Sequence, residues 1–319
     1  KFAAVVFLIA TGLGALGIGS FATASGAIAW GTIQATAAYA FVGTAAAGII
    51  GMMNTKGVEA TSENLGAKVT TRDPLKFRQI IYGKTKVAGV ITHIETSGVD
   101  NHKLNFVMVL SGHEIHSVES VFFNDTKLTS STSTINGETV HTITNSQYTN
   151  TENEQSFASG RLGRFTIETG SQTTANGFAN AQMSSITNNS KFLGCSYIMF
   201  QLIYDAEKFG GGIPNVTAVV KGKKIYDPRE NSHDASDPTT WEWSDNPALI
   251  FRDYLQDTNY GLRATTSEIN DTTNAGGIQA AANICDQDVL LADNTTTEKR
   301  YTANGFTNFG ASGEGVLSG

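Results

Sequence analysis

From residue 2 to residue 55 the chain carries no Asp, Glu, Lys or Arg. The run reads FAAVVFLIATGLGALGIGSF, then ATASGAIAWGTIQATAAYA, then FVGTAAAGIIGMM. About 20 apolar residues span a bilayer core as a helix, and the first and last parts approach that length. The spacings Gly12–Gly17 and Gly43–Gly48 allow close helix approach, although neither is a true GxxxG. The run is too long for a signal peptide and has no basic flank beyond Lys1. Hydropathy does not separate a membrane-active helix from a helical hairpin buried in an assembly. Residues 1–55 are therefore expected to be an apolar helical segment, membrane-like or buried in protein.

The remainder is long enough for a sizeable core: the 319 residues allow two or three domains. A chain that opens on Lys1 and ends on GEGVLSG reads as a window of a longer polypeptide. Charged residues make up only 16% of it, with Ser, Thr, Asn and Gly in their place, which suits β-rich architecture with polar loops. The net charge of −7 argues against general affinity for duplex nucleic acid, which requires concentrated positive charge. Cys195 and Cys285 permit one disulfide but neither a disulfide framework nor a metal site of four cysteines.

Residues 56–77 turn polar and charged and read as a linker or extended arm, with Pro74 keeping its predecessor extended. From Gln79 the pattern is that of strands. Two β-rich runs flank Gly83-Lys84. Leu104, Phe106, Met108 and Leu110 then alternate, and Asn124-Asp125 supplies a tight turn, so a β-meander is expected. Residues 129–160 are rich in Ser, Thr and Asn and read as a polar insertion, with a hairpin turning at Asn136-Gly137. KFLGCSYIMFQLIYD, residues 191–205, is long and apolar enough for a buried strand.

IPNVTAVVKGKKIYDPR, residues 213–229, reads as a hairpin. Val216, Ala218 and Val220 share a face, Gly222-Lys223 is the turn, and KKIYDPR is the return. An acidic passage follows. Asn246 then stands as N-cap with Pro247 at the first helical position, and Ala248, Phe251 and Leu255 lie on one helical face. Gly261 fits a stop after that helix. Residues 274–287 read as a second short helix, and KRYTANGFTNFG as a strand.

No constellation for chemistry emerges. His113 and His116 stand three apart in a strand pattern, whereas a zincin needs two histidines four apart on a helix. The glycines at 210–212 open no phosphate loop. Asp227, Glu230, Asp234, Asp237, Glu242, Asp245, Asp253 and Asp257 read as solvated loop and cap charge rather than a glycosidase pair. Trp241 and Trp243 suit a sugar platform or an anchor at a subunit contact. The Asn-x-Ser/Thr sites follow from composition and imply no glycosylation.

Several stretches go further when taken in order. Arg78, Tyr82-Gly83, Gly112-His113-Glu114-Ile115 and Phe123-Asn124-Asp125 form one series. Lys221-Gly222-Lys223, Tyr226-Asp227-Pro228-Arg229 and Trp243-Ser244-Asp245-Asn246-Pro247-Ala248 form a second, and RYTANG at 300–305 closes it. The series resembles the central tail hub proteins of lambda-like long-tailed bacteriophages, also called tip attachment proteins. The match spans about residues 78–305; it is poor over 129–160 and does not extend to 1–55.

This resemblance implies a mainly β fold with an α+β portion. A tail-tube-like β-barrel or sandwich hub domain would occupy 78–230. A linker loop would follow at 231–243, then a second α+β domain from 244 to 319. It implies a homotrimer that closes the tail tube at the distal end of a virion and opens for DNA ejection. Its expected partners are the distal tail protein, other tail tip proteins and the tape-measure protein end. DNA would cross the lumen without specific binding, and residues 2–55 could contact the host membrane. Neither enzyme activity, cofactor nor metal is expected. Tyr226, Asp227, Pro228, Arg229, Trp243, Asn246 and Pro247 read as a structural junction between hub domains, where the prolines fix chain direction. Two alternatives stand beside this reading: a membrane-anchored adhesin or secretion-system component, and a tail-associated cell-wall hydrolase.

Overall fold

The computed structural model describes residues 78–209, 212–274 and 277–308. The expectations for 1–55 and 56–77 lie outside them. In chain order the strands begin with β1 (Gln79–Tyr82), β2 (Lys84–Ala88), β3 (Val90–Ser97), β4 (Lys103–Ser111), β5 (Ser117–Phe123) and β6 (Thr126–Lys127). They continue with β7 (Ser130–Ile135), β8 (Glu138–Ile143), β9 (Gly163–Glu168), β10 (Ser196–Ile203) and β11 (Val216–Lys221). Short strands follow: β12 (Lys224–Ile225), β13 (Glu242–Trp243), β14 (Asp288–Leu290), β15 (Thr297–Lys299) and β16 (Gly305–Asn308). Helix α1 is Gly177–Gln182, α2 is Pro247–Gln256 and α3 is Ile278–Cys285.

Two antiparallel sheets dominate. One has the order β3-β4-β10-β9-β8-β7 and the other β2-β11-β5-β6. Phe106, Met108 and Leu110 of β4, Ile198, Phe200 and Leu202 of β10, and Val216, Ala218 and Val220 of β11 share one buried cluster. Period-2 alternation in each strand thus fills the space between the sheets. The fold is mainly β, with its two large sheets packed as a sandwich; among the described residues no barrel closes. The far side of the larger sheet is covered by α1 and the residues after it. Phe178, Met183 and Ile186 meet Val107, Tyr197 and Met199 there. Both faces of β10 are therefore buried at all eight positions, which explains its unbroken apolar run.

Two of the local turn signals hold. Asn124 and Asp125 (φ 46° and 66°) join β5 to β6, and Asn136 and Gly137 (φ 53° and 85°) join β7 to β8. Left-handed residues in two-residue hairpins match strand twist. The polar 129–160 stretch does more than decorate the surface. Its hairpin extends the six-stranded sheet, and Val140, Ile143 and Tyr148 are buried.

Two expectations about pairing are corrected. The meander breaks after β4, because β5 leaves for the other sheet. The 213–229 hairpin does not form: β11 pairs with β2 and β5, while β12 pairs with β13. Gly222-Lys223 is a crossing point instead. The Gly222 and Lys223 amides donate to the Gly83 and Ile81 carbonyls, each at 2.8 Å. A Cβ at Gly222 would collide with the Ile81 carbonyl oxygen, so glycine serves there for close backbone approach.

Strand β1 lies at the centre of the second half of the fold. It pairs with β16, and its alternate side chains serve different cores. Ile81 enters the sandwich core, while Ile80 and Tyr82 join Ile225, Leu249 and Ala282 in another. Helix α2 begins as its sequence signals, with Asn246 Oδ1 accepting from the Ala248 and Leu249 amides. Its buried stripe is rotated from the expected one. Leu249, Arg252 and Asp253 face inward and Phe251 is exposed, because the helix turns its polar residues to a charged partner. Among the described residues no helix is long and apolar enough to cross a membrane.

Candidate functional site

A set of buried and half-buried polar contacts lies where β1, the 222–229 segment, α2 and α3 meet. Asn246 fastens α2 to α3: while its oxygen caps α2, its Nδ2 donates to the Ala282 carbonyl and to Asp286 Oδ2, both at 2.9 Å. Asp286 is the C-cap of α3. Its Oδ2 also accepts from Arg229 Nη2 at 2.7 Å. Arg229 in turn grips Asp227 with two nitrogens, at 2.9 and 2.7 Å, and reaches Asn283 Oδ1 at 3.0 Å. The fork of guanidinium donors matches the carboxylate plane, which a lysine would not. The Asp227 hydrogen bonds, and then those of Asp286, hold the Arg229 pKa above the ordinary arginine value.

Tyr226 lies under the guanidinium of Arg252, 4.6 Å from its carbon to the ring centroid. Arg252 also makes a forked bond to Asp271. Trp243 closes the other side: its Nε1 donates to the Gly83 carbonyl at 3.0 Å, and Lys221 Nζ lies 4.8 Å from its ring centroid. Pro228 bridges Asp227 and Arg229, and Pro247 opens α2. The structure thus places Tyr226, Asp227, Arg229, Trp243 and Asn246 around one joint, each with a named contact.

A second knot lies beside it. Lys223 Nζ is 2.7 Å from Asp253 Oδ2 and 2.8 Å from Asp257 Oδ2. The Tyr82 hydroxyl donates to Asp253 Oδ2 at 2.5 Å, and the Tyr260 ring centroid lies 5.1 Å from the ammonium. The side chains of Lys223, Asp253 and Asp257 are only 15%, 8% and 9% exposed. Burial works against the charge on Lys223, but the two carboxylates outweigh it and hold its pKa above the ordinary lysine value. Burial also works against ionised Asp257, and the Lys223 bond again prevails and lowers its pKa. Burial and then the Asp253 charge push the Tyr82 hydroxyl well up.

In sequence Asp227, Asp253 and Asp257 look solvated; in the fold they are buried or nearly so, paired with cations from the crossing segment. A signal is present. Asp253 and Asp257 stand four apart on one helix face, and Lys223 follows the glycine that lets the chain approach.

His113 completes the arrangement. Its Nε2 accepts from the Ile81 amide at 2.9 Å, and its Nδ1 donates to the Glu114 carbonyl at 2.7 Å. Both ring nitrogens are committed, and His116 is exposed. Desolvation, only partly opposed by the Glu114 bond, lowers the His113 pKa to about 4. Among the described residues no three His, Cys, Asp or Glu side chains group as a metal site. The joint's charged groups are paired with one another, an arrangement suited to holding elements in fixed register.

No family model matches the chain, and no curated protein matches it. Among solved structures it is similar to a chain from the virion of a native gene transfer agent particle. The likeness covers 83% of this chain and 64% of that one, at 11% identity and a TM-score of 0.39.

Proposed function

We propose that this chain is a structural protein of a virion, the assembly end of a central tail hub, with no enzymatic role. In this reading three copies close the distal end of a tail tube. They hold the distal tail protein and other tip proteins in place, contact the tape-measure end, and open for DNA passage. The observation that carries the reading is where the hub-like sequence blocks fall. Most of them converge on β1; the Phe123–Asp125 turn instead joins β5 to β6, and Tyr226–Arg229 binds α2 and α3. Arg78 packs against Gly112, and His113 holds the Ile81 amide. Lys221–Lys223 crosses β1, and Trp243 reaches Gly83. Asn304, from the last block, accepts from the Lys84 amide. Residues far apart in sequence thus specify one rigid joint, which a ring subunit under load requires. A net charge of −7 is compatible with a lumen that does not retain DNA.

The test is labelling of purified particles with an antibody raised against residues 78–308. Label at the tail end, with threefold symmetry in averaged images, is the expected result. Label confined to a cell envelope, lost when residues 1–55 are deleted, would replace the hub by a membrane-anchored adhesin.

A further inference from the structure

The two large sheets have four outer strands: β3, β7, β2 and β6. An outer strand presents unpaired backbone groups to any extended chain, and proteins blunt such edges with charge, bulges, brevity or cover. Three of the four are blunted. β3 has a register break between Ile91 and His93, and its Glu95 carboxylate is tied to the amides and hydroxyls of Ser184 and Ser185. β2 carries Lys84 and Lys86, paired with Glu119 and Asp125. β6 is two residues long, and the Lys127 carbonyl accepts from Asn145 Nδ2.

β7 has none of these devices. It is SSTSTI, six residues in regular register with β8, and exposed at its first five positions. It contains no charge and no proline. Among the described residues its backbone makes no hydrogen bond outside the β8 ladder. From Leu128 to Gly137 there is no ionisable side chain, so this stretch escapes the repulsion a chain of charge −7 otherwise offers to its own copy.

The same chain presents a matching donor. β14 and β15 form a two-stranded ribbon exposed at every position. Such a ribbon is marginal in water until a further strand joins it. On β15 the edge carries Glu298 and Lys299; on β14 it carries Asp288 followed by Val289 and Leu290, which are 37% and 62% exposed.

We propose that β7 of one copy takes β14 of a second copy as an added antiparallel strand. Backbone hydrogen bonds supply the affinity and the uncharged Ser/Thr row admits the apolar strand. Two different patches meet, so the contact is heterologous, and such a contact closes a ring where the rotation between copies allows it. The ring-closing role rests on the hub reading; the strand pairing does not.

The experiment uses the full chain with Cys195→Ser and Cys285→Ser. Thr132→Cys and Val289→Cys are added, separately and together, under mild oxidation. The double variant is expected to give intermolecular disulfides, as is a mixture of the two single variants. Amide exchange over 130–135 is expected to slow as the wild-type chain assembles. Homodimers of the Thr132→Cys variant alone at equal rate would overturn the pairing, as would assembly with unchanged exchange in β7 or a chain that stays monomeric. A cross-linked ring of other than three copies would keep the pairing and overturn the hub reading.

Discussion

His113 should make the stability of this fold depend on pH in a way that one substitution removes. Its neutral imidazole replaces a backbone acceptor for the Ile81 amide, on the edge of β1 away from β16, where the strand has no sheet neighbour to offer one. Protonation would set an N–H against an N–H inside the fold. The folded pKa is about 4, against an ordinary 6.5, with burial as the main cause. Because the folded value is the lower one, the unfolded chain binds the proton first as pH falls. The stabilisation is thus complete above pH 6.5 and is lost on the way down to pH 4. The difference amounts to about 3 kcal/mol, or about 1.4 kcal/mol per pH unit within that window. Urea unfolding midpoints of wild type and His113→Gln at pH 7, 6 and 5 measure it. The glutamine side chain can offer an acceptor at the Nε2 position without titrating. The two proteins should be close at pH 7 and diverge as pH falls, with wild type losing more. His113→Phe, which leaves the buried Ile81 amide unpaired, should lie about 1–3 kcal/mol below His113→Gln at every pH. Depressed carboxylates such as Asp257 act equally in all three proteins and cancel in the comparison. Parallel pH curves for wild type and His113→Gln would refute a buried neutral His113.

Other substitutions test other parts of the joint by the same unfolding assay. Lys223→Met strands two buried carboxylates and should cost about 3–5 kcal/mol, part of it recovered by adding Asp253→Asn. Asn246→Ala removes the cap of α2 together with its two bonds to α3 and should cost about 2 kcal/mol or more. Gly222→Ala drives a methyl group into the Ile81 carbonyl and should cost at least as much, with faster amide exchange in β1 as its signature. Gln79→Met should be neutral or stabilising by about 1 kcal/mol, because both polar atoms of the buried Gln79 amide lack partners among the described residues.

What the sequence made legible is what neighbouring residues decide among themselves. Asn124-Asp125 and Asn136-Gly137 take left-handed conformations that other residues resist, so the hairpins could be placed from the letters alone. Asn246-Pro247 fixes a helix start through contacts one and two residues further on. Val216, Ala218 and Val220 announce an inward face by spacing. What stayed hidden depends on remote chain. Gly222-Lys223 has the composition of a turn, and becomes a crossing only because the Ile81 and Gly83 carbonyls occupy the position where a return strand would begin. The acidic residues of 227–257 look alike in sequence. Asp227, Asp253 and Asp257 differ from Asp234 and Asp237 only in what faces them, namely Arg229 and Lys223.

The same contrast bears on how the joint could serve an assembly. Asp234 and Asp237 bond only within their own loop, through Ser236 and Thr239, among the described residues. Lys223 and Arg229 instead lie on one short segment and grip different helices: Lys223 holds α2 through Asp253 and Asp257, and Arg229 holds α3 through Asp286. That segment is itself fastened to β1 by the Gly222 and Lys223 amides. A displacement of β1 would therefore pull on both helices at once, since buried ion pairs stretch little before they break and breaking either one leaves a charge unpaired. A force on β1 would thus reach α2 and α3 through these contacts rather than be absorbed by a loop.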